Sequence, residues 1–280
     1  MRTTTIQGRH GLRPQFAAAG IALRRLSGAR WTRAAIATLA LAILALALPT
    51  LSKVPSLHGY TAVDYRMYMD ATSGWLAGAP FYPTDQLAGP NPITLGDVLY
   101  PPVALWLFVP FTFLPAAMWW GVPLGLTIWA IWRLRPGPLM WPLMALCLAW
   151  PETIIKITQG NPVMWVVAAE ALGMVTVGPA VFALMKPSLW PFALWGARRR
   201  RWWAFLAVFA IMCLPFGAMW ADWLAAVGNS TGGGPLYSIL EAPLMVIPLI
   251  AWFGRSREGV SSRSSHWTMA PHDRPLQGRA

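Results

Sequence analysis

The sequence is poor in charge, and poorer still in acid. Asp, Glu, Lys and Arg make up only 11% of its 280 residues, with 10 acidic side chains against 22 basic ones. Soluble domains carry about 25% charged residues, so this chain lacks the polar groups to cover a water-facing surface, which excludes a soluble cytoplasmic enzyme. A hydrophobic fraction of 56% equally excludes a disordered chain. There are only two cysteines, Cys147 and Cys213, and both lie inside apolar runs. They read as buried thiols rather than as a disulfide or a metal pair. HExxH, GxSxG, Walker and CxxC patterns are all missing. The four histidines, His10, His58, His266 and His272, fall in loops or tails, so no metal centre is expected. An internal repeat of the kind that pairs broken helices in transporters is also missing, which disfavours a small transporter.

What the chain has in quantity is apolar sequence, proline, arginine and tryptophan. Its mean hydropathy is +0.47. The 18 tryptophans suit a protein with two membrane interfaces. Arginine supplies 19 of the 22 basic residues, 16 of them in blocks at residues 2–33, 198–201 and 255–279. Each block flanks an apolar stretch, which is the positive-inside pattern of a plasma-membrane protein and not a nucleic-acid footprint. The expectation is an all-α polytopic membrane protein, surrounded by membrane lipids and without a nucleic-acid partner.

Three regions follow: a cytoplasmic basic tail (residues 1–33), an integral membrane domain (34–253) and a second cytoplasmic basic tail (254–280). Residues 34–52 form an uninterrupted apolar run of 19, long enough to cross about 30 Å of hydrocarbon. An uncleaved first span is favoured over a signal peptide, including the twin-arginine version that Arg24-Arg25 invites, because apolar segments continue downstream. Residues 53–97 carry four Asp and no basic excess, which places them outside. Within this outer loop, residues 64–77 are predicted to form a short interfacial helix, with Asp64, Tyr68, Ala71 and Trp75 on one face and Gly78 as its stop.

Residues 99–134 read as a re-entrant piece followed by a span, and 139–150 as too short to cross unless continued through Ile157. PETIIKITQGNP (151–162) reads as polar and turn-rich. Residues 163–175 and 180–197 are apolar, 205–220 cross outward, 221–235 form a Gly-rich outer loop, and 236–253 return. The total is about seven to nine membrane segments.

Polar residues inside apolar runs are the informative ones, because each costs roughly 2.5–3.5 kcal/mol at a helix centre. Lys186, followed by Pro187, reads as an anion site or as a side chain snorkelling to an interface. Gln159, Gly160 and Asn161 line a cavity or make a plain turn. Glu152 and Lys156 stand at i,i+4 spacing, and Glu170 is similarly placed in apolar surroundings. Tyr100-Pro101-Pro102 fixes a bend. Asn229-Ser230-Thr231 matches a glycosylation acceptor, a pattern frequent by chance. Asp64 is the strongest candidate for chemistry; its structural alternative is a helix N-cap.

The order and spacing of these pieces resemble a known family. VDYRMYMDATSGWLAGAPFYP (63–83) followed by LYPPVALWLFVPFTFLP (99–115) resembles the amino-terminal half of glycosyltransferase family 87, polytopic GT-C enzymes that include polyprenol-phosphate-dependent mannosyltransferases. The family's acid–aromatic–small helix corresponds to Asp64, Tyr68 and Ala71, its G-x-P-x-Y turn to Gly78, Pro80 and Tyr82, and its Tyr-Pro-Pro entrance to Tyr100, Pro101 and Pro102. QGNPVMWVVAAEALG (159–173) resembles its Gly/Gln/Asn segment, and ALMKPSLWPFALWGARRRRWW (183–203) its Lys-Pro helix and basic turn. The Gln-Gly-Asn order departs from the family's more usual Gly-Gln, and the chain resembles a short member with fewer helices after the arginine run.

The resemblance implies a GT-C-like helical bundle and transfer of a hexosyl unit from a polyprenyl-phosphate sugar to a lipid or glycan acceptor, with no cofactor. It implies Asp64 as the catalytic base and Arg66, Tyr68, Tyr82, Tyr100, Gln159, Asn161 and Lys186 as substrate-binding residues. The alternative is a non-catalytic shortened relative that binds lipid or scaffolds a partner.

Overall fold

A computed structural model describes residues 30–53, 61–94, 97–231 and 240–255. Most of both basic tails, all four histidines and the Gly-rich end of the 221–235 loop lie outside the described residues. The described residues form thirteen α-helices and one two-residue strand pair.

Helices α1 (Arg30–Ala45) and α2 (Leu48–Lys53) run on as one apolar stretch of 24 residues. The join at Leu46-Ala47 tightens to i→i−3 bonds because Pro49 has no N–H for the carbonyl four residues back. Helix α3 (Val63–Leu76) matches the short helix expected at residues 64–77, stopped by Gly78 at φ 94°. After α4 (Thr84–Ala88), strand β1 (Asn91–Pro92) pairs in parallel with β2 (Ser230–Thr231), tying the outer loop to the end of a distant helix. Then come α5 (Leu105–Phe111), α6 (Ala117–Leu134), α7 (Met140–Ala149), α8 (Pro151–Gln159) and α9 (Val163–Thr176). The chain ends in α10 (Trp190–Ala193), α11 (Arg200–Cys213), α12 (Met219–Asn229) and α13 (Ala242–Phe253).

One described helix, Arg30–Lys53, is long and apolar enough to cross a membrane, and the number rises to three if each of two bent helix pairs is one span. This corrects the expected seven to nine. The composition is apolar, but proline and glycine cut the runs into short pieces. Residues 180–197 make no span: Pro179, Pro187 and Pro191 remove donors every few residues, leaving 3-10 segments Pro179–Met185 and Pro187–Leu189 and the four-residue α10. At Pro215 and Gly217 the chain turns by 94° from α11 into α12. α12 therefore occupies most of the expected 221–235 loop. α13 has 12 residues, and residues 236–239 of the expected returning run lie outside the described residues. Helix α6 has 18 residues, but four tryptophans, Pro123 and Arg133 dilute its hydropathy.

The stretch PETIIKITQGNP is also corrected. Residues Pro151–Gln159 form a helix, not a turn-rich loop. Pro151 suits the first helical position, Glu152 and Lys156 pair at 3.3 Å across one turn, and Gly160 (φ 72°) supplies the left-handed stop. Helix α8 meets α7 at a 64° bend.

Helix α9 is central: nine of its 14 residues are buried, and it packs against α6, α13 and the Pro179–Met185 segment. An aromatic core joins α3, α5 and α6 through Tyr68, Tyr100, Phe108 and Trp119, with Tyr68 stacked on Phe108 at 4.9 Å. Outside, large apolar side chains face outward, such as Leu41 (68% exposed) and Ile128 (66%), as a hydrocarbon surrounding requires. Cys147 and Cys213 are free, partly buried thiols.

Candidate functional site

Asp64 stands in the first turn of α3, and the start of that helix is fixed from outside. Ala62 adopts φ 58°, and its N–H donates to the Thr158 carbonyl at 2.8 Å, pinning α3 to the last turn of α8. That last turn is itself held: the indole N–H groups of Trp119 and Trp120 donate to the Gly160 and Ile157 carbonyls, both at 2.7 Å. Both lie at the helix end, where carbonyls lack i+4 partners; the Ile157 carbonyl also accepts the Gly160 N–H at 3.1 Å. Glycine at 160 is dictated twice. Its φ is positive, and a Cβ there would lie 2.7 Å from the Trp120 ring and 2.8 Å from Tyr65 Cβ.

Asn161 follows directly and reaches across. Its Nδ2 donates to Asp64 Oδ2 at 2.6 Å, while its Oδ1 accepts from the Val163 N–H at 2.9 Å and the Tyr100 hydroxyl at 3.3 Å. With both donors on Oδ1, the amide NH2 has to face the carboxylate. Asp64 does not cap the helix: the N-cap is Ala62, no side chain caps it, and the Asp64 Oδ2 accepts from Asn161 instead, which rules out the N-cap reading.

The network continues through two lysines. Lys186, buried just after the Pro179–Met185 segment, bonds Glu241 and stands 5.6 Å from the centre of the Tyr100 ring. Lys156 lies 3.8 Å from the other Glu241 oxygen and 3.3 Å from Glu152. The Asp64 carboxyl is held above the ordinary carboxylate range, chiefly because burial strips water from its charged form. The Asn161 bond and the Lys156 and Lys186 charges pull it partly back, and Glu241 adds to the rise.

Four expected site residues thus meet: Asp64, Tyr100, Asn161 and Lys186. Tyr68 forms the wall, edge-on to Tyr100 at 5.3 Å. Tyr82 supports from behind, its hydroxyl donating to the Tyr100 carbonyl at 2.9 Å. Gln159 is buried on α8, with its Oε1 unpartnered among the described residues, and no hydrogen bond joins it to the network. Arg66 is not brought in. Two residues past Asp64 it has turned about 200° around the helix, onto the exposed face.

Glu241 was not singled out from the sequence, although the signal existed: it is the one acid in the apolar run 236–253, the same observation that singled out Lys186. Asn229, of the glycosylation-like triplet, is engaged, its Nδ2 donating to the Gln86 carbonyl at 3.0 Å. Among the described residues no group of three or more His, Cys, Asp or Glu is placed to hold a metal ion. No protein-family model, curated protein or solved structure matches the chain.

Proposed function

We propose that the chain is an integral membrane glycosyltransferase of the GT-C type. It moves a hexosyl unit, mannosyl by resemblance, from a polyprenyl-phosphate sugar to a lipid or glycan acceptor at the outer face of the plasma membrane, with inversion. In this reading Arg30–Lys53 is the first span, residues 53–97 are the outer loop and both termini are cytoplasmic. The observation that carries it is the Asp64–Asn161 hydrogen bond at 2.6 Å, set in a buried network with two lysines.

The chemistry asks for little else. Phosphate leaves as a stable anion, so one carboxylate acting as base on the acceptor hydroxyl suffices. Asp64 Oδ2 is occupied by Asn161, and Oδ1 has no hydrogen-bond partner among the described residues, so it is the oxygen that takes the acceptor proton. As the acceptor oxygen bonds to the anomeric carbon, the carbon–phosphate oxygen bond breaks and its electron pair leaves with polyprenyl phosphate. Its raised proton affinity suits Asp64 to this transfer near neutral pH. Lys186 and Lys156 supply positive charge in a low-dielectric setting for the leaving phosphate.

One observation favours the second reading, a non-catalytic lipid-binding relative: Lys186 is already paired with Glu241. The two readings separate in one assay. Purified protein in detergent is given radiolabelled polyprenyl-phosphate mannose and a mixed bacterial lipid extract, and wild type is compared with Asp64→Asn. Labelled lipid from wild type alone is the expected result. Equal product from both removes Asp64 as base, and no product from either favours the non-catalytic relative.

A further inference from the structure

Far from Asp64, the end of the bundle where α1 begins and α6 ends carries five guanidinium groups, those of Arg30, Arg33, Arg133, Arg135 and Arg255, and none of them has a carboxylate partner among the described residues. Arg33 lies one turn into the Arg30–Lys53 helix, and Arg135 caps α6 in the left-handed conformation at φ 49°. Arg255 is brought beside them by the bridge between Pro136 and Arg255, with its guanidinium 4.0 Å over the Trp252 ring. Every salt bridge among the described residues belongs to Lys156 or Lys186, so none reaches these arginines. Both Arg33 and Arg135 are exposed.

Two apolar troughs start at these two arginines. One, of about 470 Å³, runs from Arg135 between α1, α6, α7 and α13, past Trp132 and Ala40. The other, of about 310 Å³, runs from Arg33 past Ile36 and Pro138. Trp141 is a wall of both. The outer walls of the larger trough belong to the hydrocarbon-facing belt, where Trp132 is 65% exposed and Ile128 66%.

We propose that this is a binding site for one anionic diacyl phospholipid, its phosphate between Arg33 and Arg135 and its two chains in the two troughs. Charge complementarity fixes the headgroup: two unpaired guanidiniums at the ends of apolar helices call for phosphate at headgroup depth. The belt fixes the source, because a groove opening onto hydrocarbon is reached from within the bilayer. Paired troughs that share Trp141 match two chains diverging from one glycerol, with the indole at the interface where tryptophan prefers to sit. The site shares no residue with the Asp64 network and stands or falls apart from the proposed transfer reaction.

Native mass spectrometry of the full chain in detergent tests it, titrating phosphatidylglycerol against phosphatidylcholine of the same chains. Wild type is expected to hold one phosphatidylglycerol in preference. R33Q/R135Q should lose that preference, with affinity for phosphatidylglycerol down roughly thirtyfold and phosphatidylcholine unchanged. A40W, which keeps both arginines but fills the larger trough, should weaken both lipids, and this variant reports on the trough independently of charge. Equal retention of the two lipids by wild type, a preference that survives R33Q/R135Q, or displacement by free glycerol phosphate at matching concentration would each overturn the proposal.

Discussion

The Asn161 side chain donates to the Asp64 carboxylate at 2.6 Å across 97 residues of sequence. The bond does two things to the acid. It fixes which oxygen faces outward, and it opposes the rise in proton affinity that burial imposes.

Because that bond favours the ionised form, Asn161→Ala should raise the Asp64 pKa further. The acid limb of the transfer rate then moves to higher pH, and at neutral pH the rate falls roughly tenfold or more, partly regained in more alkaline buffer. A pH–rate profile of wild type and variant checks this; a loss equal at every pH would mean Asn161 acts only on folding.

Asp64 also makes stability depend on pH, and the sign is fixed. Its folded-state pKa lies above the unfolded value, so between the two the folded chain binds more protons, and stability declines as pH rises through that window. Asp64→Asn should therefore raise the thermal midpoint at neutral pH, with the gain disappearing below the unfolded pKa. Unfolding in detergent at several pH values measures it.

Lys186 and Glu241 are both buried and bonded to each other. Glu241→Gln leaves a lysine charge without its main counter-charge and should cost about 3–5 kcal/mol, whereas the double change Lys186→Met with Glu241→Leu should recover most of it. Thermal unfolding of the three variants checks the order.

Gly160→Ala meets both a positive φ and the Trp120 and Tyr65 atoms at under 3 Å. A loss of about 2–4 kcal/mol is expected from backbone strain and forced movement together. The Asp64–Asn161 bond should go with it, so transfer falls as well as stability.

Glu170 is fully buried on α9, and neither carboxyl oxygen has a partner among the described residues. Glu170→Leu should raise the thermal midpoint, since it replaces an unpartnered polar group by an apolar one of similar size. An unchanged or lower midpoint would show that the carboxyl carries a role of its own.

Features that depend on neighbours along the chain were legible in the order of its amino acids. The apolar run 34–52 lies within the Arg30–Lys53 helix, and the 3.6-residue spacing of Asp64, Tyr68, Ala71 and Trp75 places helix Val63–Leu76 to within a residue. The i,i+4 spacing of Glu152 and Lys156 brings them together once residues Pro151–Gln159 are helical, which the turn-rich reading of that stretch missed. Asp64 stands out as an acid opening a short helix in a polar loop, Tyr100 through its Tyr-Pro-Pro bend, Asn161 as a polar residue between apolar segments and Lys186 as a charge inside one.

Which of them meet depends on packing between segments far apart in the chain. Asn161 lies 97 residues from Asp64, and Glu241 lies 55 from Lys186, so no local pattern encodes either contact. Arg66, nearest Asp64 in sequence, faces away because two residues carry a helix more than half a turn round. The number of spans was undecidable for a related reason. Hydropathy sums apolar content along the chain, whereas whether a run crosses straight or turns by 94° depends on which carbonyls its prolines orphan and on what packs against the break.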